Sequence, residues 1–250
     1  MPLTKKHMTR VGFAVPLLAA SVAMTGAMTA DAQAFDLVPQ QEGEIALDNK
    51  ACITGNCIQL DSIVKSVESL QDSSTGTQSS LFVDKYNTKN DYGAFSFRKK
   101  DVGTADTNGA YWFRPVAFNT DGSAIEGGEL EVGTFKFTFA EIIETLTVSW
   151  FDTERKNGTS YIAEVETANG FVNYQNTVPK GGNNNIFTKE FSGVKSITLN
   201  LGEHYGRTGD GVNFQVDAEP VPEPSTMLGI AAAAAMGGLI RRKQKQTADA

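Results

Sequence analysis

A chain of 250 residues with 22 basic and 29 acidic side chains has a formal charge of −7. That balance argues against nucleic acid as a direct partner, since such binding rests on phosphate neutralisation by Lys and Arg, and against anionic membrane surfaces. The length suffices for one domain with a substantial core.

The first predicted element is an export signal. Lys5, Lys6 and Arg10 form a positive start, residues 11–30 are uncharged, and "DAQAF" offers Ala32 and Ala34 as the small residues of an A-x-A site. This pattern predicts a secretory signal peptide over 1–34, cut between Ala34 and Phe35. Pro16 and Gly26 inside the apolar stretch argue against a retained helix. Removing residues 1–34 and 225–250 leaves 190 residues. Three basic residues go with the signal and four with the tail, together with Asp31 and Asp249, so 15 basic and 27 acidic residues remain and the formal charge falls to −12. Such acidity suits cation binding and is also an ordinary solubility feature.

The exported region, 35–218, opens with Cys52 and Cys57 in "ACITGNCIQL". An oxidising compartment permits a disulfide closing this Thr-Gly-Asn turn, whereas the C-x4-C spacing differs from the C-x-x-C of redox-active sites. The next stretch, "IQLDSIVKSVESL" over 58–70, fits a helix or a strand, and periodicity alone does not choose.

From there the chain has a β period. "LFVDKY", "YGAFSFRK", "AYWFRPVAF", "ELEVGTFKFTFA", "TLTVSWF", "SYIAEVET", "SITLNL" and "VNFQV" are short runs rich in aromatic and β-branched residues. Phe135, Phe137 and Phe139 alternate with Thr134, Lys136 and Thr138, which places the three rings on one face. Turn-rich breaks such as "NTDGSAIEGG" and "KGGNNN" separate the runs. The pattern predicts an all-β domain, a two-sheet β-sandwich of jelly-roll type, with a closed barrel as the alternative.

Oxygen-bearing side chains cluster at Asp106 with Asn108, at Asp121, at Asp152 with Glu154, and at Asp210. Asp106, Asn108, Asp152 and Glu154 are candidate ligands for a structural calcium ion, which prefers carboxylate and carbonyl oxygen, although "DTNGAYWF" lacks a full calcium loop. No other cofactor is required. Asp152 and Glu154 are also the pair on which a glycan-acting hydrolase would depend; the plainer reading is an acidic strand end. His204 is the sole histidine after processing, too few for a multi-histidine zinc site, and no G-x-S-x-G element accompanies it. Tyr111, Trp112, Trp150, Tyr161 and Tyr174 are candidates for stacking on sugar rings, but the alternation sends some of them to the core.

A proline-punctuated linker, 219–226, follows, then an uncharged segment over 227–240 and a basic tail over 241–250 with Arg241, Arg242, Lys243 and Lys245. As a helix the 14-residue segment reaches only about 21 Å against a hydrocarbon core of about 30 Å. The basic cluster suits a stop at the cytoplasmic face.

Val221-Pro222-Glu223-Pro224-Ser225-Thr226, the short apolar helix and the Arg-rich end together resemble the PEP-CTERM sorting signal of exopolysaccharide-producing bacteria. The resemblance implies recognition by an exosortase, a membrane cysteine protease that processes the tail, with Pro222, Glu223 and Pro224 as the recognised element. It also accounts for the short helix, because a segment destined for removal need not anchor stably. A second likeness lies in "GGELEVGTFKFTFAEIIETLTVSWFDTE", which resembles the LEVG family of PEP-CTERM proteins through Leu130-Glu131-Val132-Gly133, with "LFVDKY", "YWFRPVAF" and "GDGVNFQV" extending it. That family brings no activity to transfer.

The expectation is therefore an exported, non-enzymatic surface or matrix component with a structural or adhesive role linked to exopolysaccharide. Before processing, its C-terminal helix holds it transiently to the membrane. A calcium- or carbohydrate-binding module is the first alternative and a glycan-acting hydrolase the second.

Overall fold

Residues that alternate apolar and polar with β-branched and aromatic side chains gain most from a pleated, half-buried surface, and the computed structural model is built almost wholly of strands. It describes residues 34–86, 88–97, 111–153, 160–172, 176–182, 185–204 and 211–220. Among these the strands are, in chain order, β1 Phe35–Asp36, β2 Gly43–Ile45, β3 Cys57–Ile58, β4 Val64–Leu70, β5 Ser80–Lys85, β6 Asn90–Asp91, β7 Ser96–Phe97 and β8 Tyr111–Val116. They continue as β9 Gly133–Phe151, β10 Tyr161–Thr167, β11 Gly170–Val172, β12 Asn176–Thr177, β13 Ile186–Leu201 and β14 Asn213–Pro220.

Twelve of them form one sheet in the order β11-β10-β13-β9-β14-β8-β5-β2-β3, with β12 on β10, β4 on β9 and β1 on β14. The β2–β3 pair is parallel, which makes the sheet mixed, and β6 with β7 forms a separate small antiparallel pair.

The frame of the sheet is the pair β9 and β13, of 19 and 16 residues. One edge of β9 is taken by β13 along its length. The other edge is shared: β4 occupies it from Thr134 to Phe139, and β14 from Ile143 to Phe151. Between the two halves Val194 pairs with Ile143 and Ser196 with Thr138, so residues 139–142 of β9 bulge against one residue of β13. An unequal count of this kind bends the strand and sharpens its twist. The runs "ELEVGTFKFTFA" and "TLTVSWF", two strands by sequence pattern, are thus one bent strand.

Phe135, Phe137 and Phe139 are buried as their alternation requires. Phe137 packs with Phe113 and Phe214 at centroid distances of 5.8 and 6.0 Å, tying β9, β8 and β14 together. One apolar cluster draws on both halves of β9. A smaller one, Phe82, Phe95, Phe97, Val116 and Phe118, has Tyr92 packed against it. The undecided stretch 58–70 contributes a strand over Val64–Leu70. Within "YGAFSFRK" the described residues contribute the second strand of the short β6–β7 pair.

The free edge of β4 is sealed by side chains. Asp48 accepts the Val67 N–H at 2.8 Å while its own N–H donates to Val67 O, and the Asn49 amide exchanges two bonds with the backbone of Ser69. These groups take the place of a neighbouring strand, which protects an edge from foreign pairing.

Candidate functional site

Two places concentrate the chemistry of the described residues: the strand that leads into the predicted sorting motif, and a buried arginine beneath the Leu-Glu-Val-Gly segment.

β14 runs through Pro220, with Glu219 opposite Thr145 and Pro220 opposite Ile143 after a register shift. The predicted boundary of the domain at 218 therefore moves, because Glu219 and Pro220 close the last strand and do not begin the linker. A proline is tolerated there since it stands at a strand end beside an irregularity, where a ladder N–H is dispensable. On its other edge β14 carries β1, with Phe35 opposite Ala218 and Asp36 opposite Asp217. Val221, Pro222, Glu223, Pro224, Ser225 and Thr226 lie outside the described residues, as do the segment 227–240 and the basic tail.

Arg114, fully buried on β8, donates to Asp84 at 2.8 Å, to Glu129 at 3.0 Å and to Glu131 at 2.6 Å. Its guanidinium lies 4.1 Å from the centre of the Phe97 ring. A planar fork of donors meeting several carboxylates and an aromatic face is an arrangement that Arg supports and Lys does not. Tyr92 lies close by: burial, with the charges of Asp84, Glu42 and Glu44 adding and Arg114 opposing, raises its phenol well above the usual range.

The four residues of the Leu-Glu-Val-Gly segment now have physical roles. Leu130 and Val132 are buried with Ala117 and Ile125. Glu131 binds Arg114. Gly133 packs where a Cβ would collide with Ser79, whose hydroxyl donates to Val132 O at 2.6 Å. Gly211 leaves room for the Glu131 side chain in the same way, and the Val212 N–H donates to Glu131 O.

Of the residues singled out by sequence, Cys52 and Cys57 are joined, with Cα atoms 5.9 Å apart. Their loop wraps the buried carboxylate of Glu44, which accepts the N–H groups of Ile53 and Thr54, both at 2.8 Å. Glu44 and the two sulfurs stand close enough to hold an ion, but sulfurs bonded to each other are not thiolate ligands. Lys50 lies over the Phe118 ring at 4.3 Å; burial lowers its pKa and Glu44 opposes the shift.

Ala34 and Phe35 are exposed. Asp152 follows the end of β9 in a left-handed conformation, φ 57°, with its N–H bonded to Asn185 O at 2.9 Å. It therefore lies just past the strand end, and its relation to Glu154 falls outside the described residues. Asp106, Asn108, Glu154, Asp210 and Tyr174 lie outside the described residues. Asp121 closes a turn on Ser123 through the hydroxyl and N–H bonds that lower its pKa. The backbone N–H of His204, not its imidazole, meets Ser74, whose hydroxyl donates to Asp72.

Trp112 and Trp150 are core residues, and Tyr111 and Tyr161 are half-buried, so the tryptophans offer no face to a sugar. Among the described residues the exposed rings are instead Phe171, Tyr86 and Phe35. A cavity of about 240 Å³ beside β4 is lined by Asp48, Gln59, Lys65 and Ser66 among others and by no aromatic residue.

An all-β domain whose last strand passes directly into a sorting signal defines a class, the surface-targeted proteins that a membrane protease processes. Within that class the chain carries a specific tail: residues 220–243 match the PEP-CTERM protein-sorting motif, which implies processing by an exosortase and targeting to the cell surface. No curated protein and no solved structure matches the chain. The convergence of Asp84, Arg114, Glu129 and Glu131 was missed at the sequence level. The signal available was a set of charged residues inside apolar strand runs.

Proposed function

We propose that this chain is an exported structural or adhesive component of the cell surface or extracellular matrix, acting without catalysis and in association with exopolysaccharide. The observation that carries the reading is the sorting motif at 220–243, beginning on the last residue of β14. A signal peptide ending at Ala34 delivers the chain across the membrane, and the segment 227–240 holds it there until the exosortase acts. The exported domain is a β-sandwich of jelly-roll type. Support for this comes from the bend in β9 and β13 and from the single cluster that takes side chains from both halves of β9. Membership of the LEVG family is part of the reading, supported by the packing of Leu130, Glu131, Val132 and Gly133 around Arg114 and Ser79. Phosphate-binding or nucleic-acid roles do not suit a domain of charge −12 over residues 35–224.

The test is the intact mass and location of the protein in cells with and without a working exosortase. The expected product begins at Phe35, lacks Arg241 to Lys245 and is found outside only in competent cells. A full-length C-terminus retained in the membrane in both strains would sink the matrix role.

A further inference from the structure

The two ends of the exported domain are partners in one antiparallel pair. Phe35 stands opposite Ala218 and Asp36 opposite Asp217. The Leu37 N–H donates to Val216 O at 2.8 Å. Hydrogen-bonded and non-bonded pairs alternate along such a ladder, so Asp36 and Asp217 form a non-bonded pair, the type in which Cα atoms approach to about 4.5 Å and side chains are closest. Two carboxylates in that position repel. Two residues beyond Asp217 on β14, and so on the same face, stands Glu219, a third carboxylate.

The same rows continue through Thr147 to Glu190 and through Thr145 to Ser192 on β9 and β13, and contain no Lys or Arg. Lys189 belongs to the neighbouring row with Val148 and Val216, which alternation turns to the opposite face. The acidic edge therefore has no cation among the described residues of its own rows. Burial raises the pKa of Asp36 and of Asp217; at Asp36 the charge of Asp217 adds, while hydrogen bonds from the Val38 N–H at 2.8 Å and the Gln40 amide at 3.0 Å oppose the rise.

The predicted signal-peptide bond joins the exposed residues Ala34 and Phe35, at the end of this pair. Hydrolysis of that bond by water in the signal peptidase leaves the Ala34 carboxylate on the released peptide and an α-ammonium on Phe35. A neutral amide becomes a positive charge next to Asp36 and across from the segment Asp217 to Glu219. We propose that the Phe35 α-ammonium is the counter-ion of the Asp36–Asp217 pair, so that removal of the signal peptide tightens β1 onto the strand from which the sorting motif departs. The inference rests on the processing reading above and deepens it, because the first cut then steadies the root of the second. A charge placed at this exposed edge acts over one or two residues and is screened by solvent, which sets the size of the effect.

The test uses the processed protein recovered from the culture. Its intact mass establishes whether it begins at Phe35. The α-amine is then acetylated under mildly acidic conditions, in which lysines stay protonated, and hydrogen exchange at the Leu37 amide is compared between the free and acetylated forms near pH 7. A free α-amine of pKa about 7.7–8.0 is mostly charged there. The expected result is exchange about two- to fivefold slower in the free-amine form, the span of an exposed ion pair, with the difference abolished in the Asp36→Asn/Asp217→Asn variant. Equal exchange in a chain shown to begin at Phe35 would overturn the counter-ion role and leave the processing reading standing. A difference that persists in the double variant would also overturn it, and a start elsewhere than Phe35 would overturn both.

Discussion

Asp36 stands directly across from Asp217 on the β1–β14 pair, two like charges at the root of the sorting signal. Burial, with Asp217's charge contributing at Asp36, raises both carboxyl groups above their ordinary value of 3.8. The folded chain thus holds these protons more tightly than the unfolded chain. The cost to folding is complete above the raised values, shrinks as pH falls through them and is gone below the unfolded value. Asp217→Asn is expected to stabilise the domain at pH 7 by a few tenths of a kcal/mol, about what an exposed like-charge cross-strand pair costs. Urea unfolding at pH 7 and near pH 3 checks this, and the gain should be absent at the lower pH.

Arg114 ties Asp84 of β5 to Glu129 and Glu131 of the segment before β9. Removing one partner of a buried ion cluster leaves charge without compensation, so Arg114→Met should cost about 3–5 kcal/mol. Arg114→Lys should recover only part of this, since an ammonium cannot serve three carboxylates in a plane. Equilibrium denaturation of both variants decides it. A neutral Arg114→Met would mean that the cluster contributes nothing net.

Glu44 and the Cys52–Cys57 loop hold each other in place. The short ring closed by the disulfide predicts a loss of about 2 kcal/mol for Cys52→Ser/Cys57→Ser. Glu44→Ala leaves the N–H groups of Ile53 and Thr54 without their acceptor and should cost about 1–3 kcal/mol. Because both changes loosen one loop, the triple variant should lose less than the sum, a coupling that a double-mutant cycle of thermal unfolding measures directly.

Asp48 and Asn49 close the edge of β4 with side-chain bonds to Val67 and Ser69. Asp48→Ala/Asn49→Ala should uncover that edge and promote association through it. Light scattering after size-exclusion chromatography is expected to show concentration-dependent larger species that the parent lacks.

What could be read from the chain itself was what depends on local order. The β period of Phe135, Phe137 and Phe139, the turn-rich breaks and the sorting tail are each contained in a few consecutive residues, and local patterning decides them. The stretch 58–70 was ambiguous because its apolar spacing serves either period; pairing with β9 made it a strand. Likewise, the alternation around Trp112 and Trp150 is the same whether a ring faces a core or a sugar, and only tertiary packing buried both.

Export and surface sorting were determined by sequence alone, because such addresses are read by their receptors as linear segments. Tertiary structure decided that two strand runs are one bent β9, that Asp84, Glu129 and Glu131 meet on Arg114, and that Asp36 faces Asp217. The last two join residues apart in the chain, and the continuity of β9 depends on β13 pairing along its whole length. Charge and burial act through space, so no inspection of neighbours in sequence could have supplied the partner.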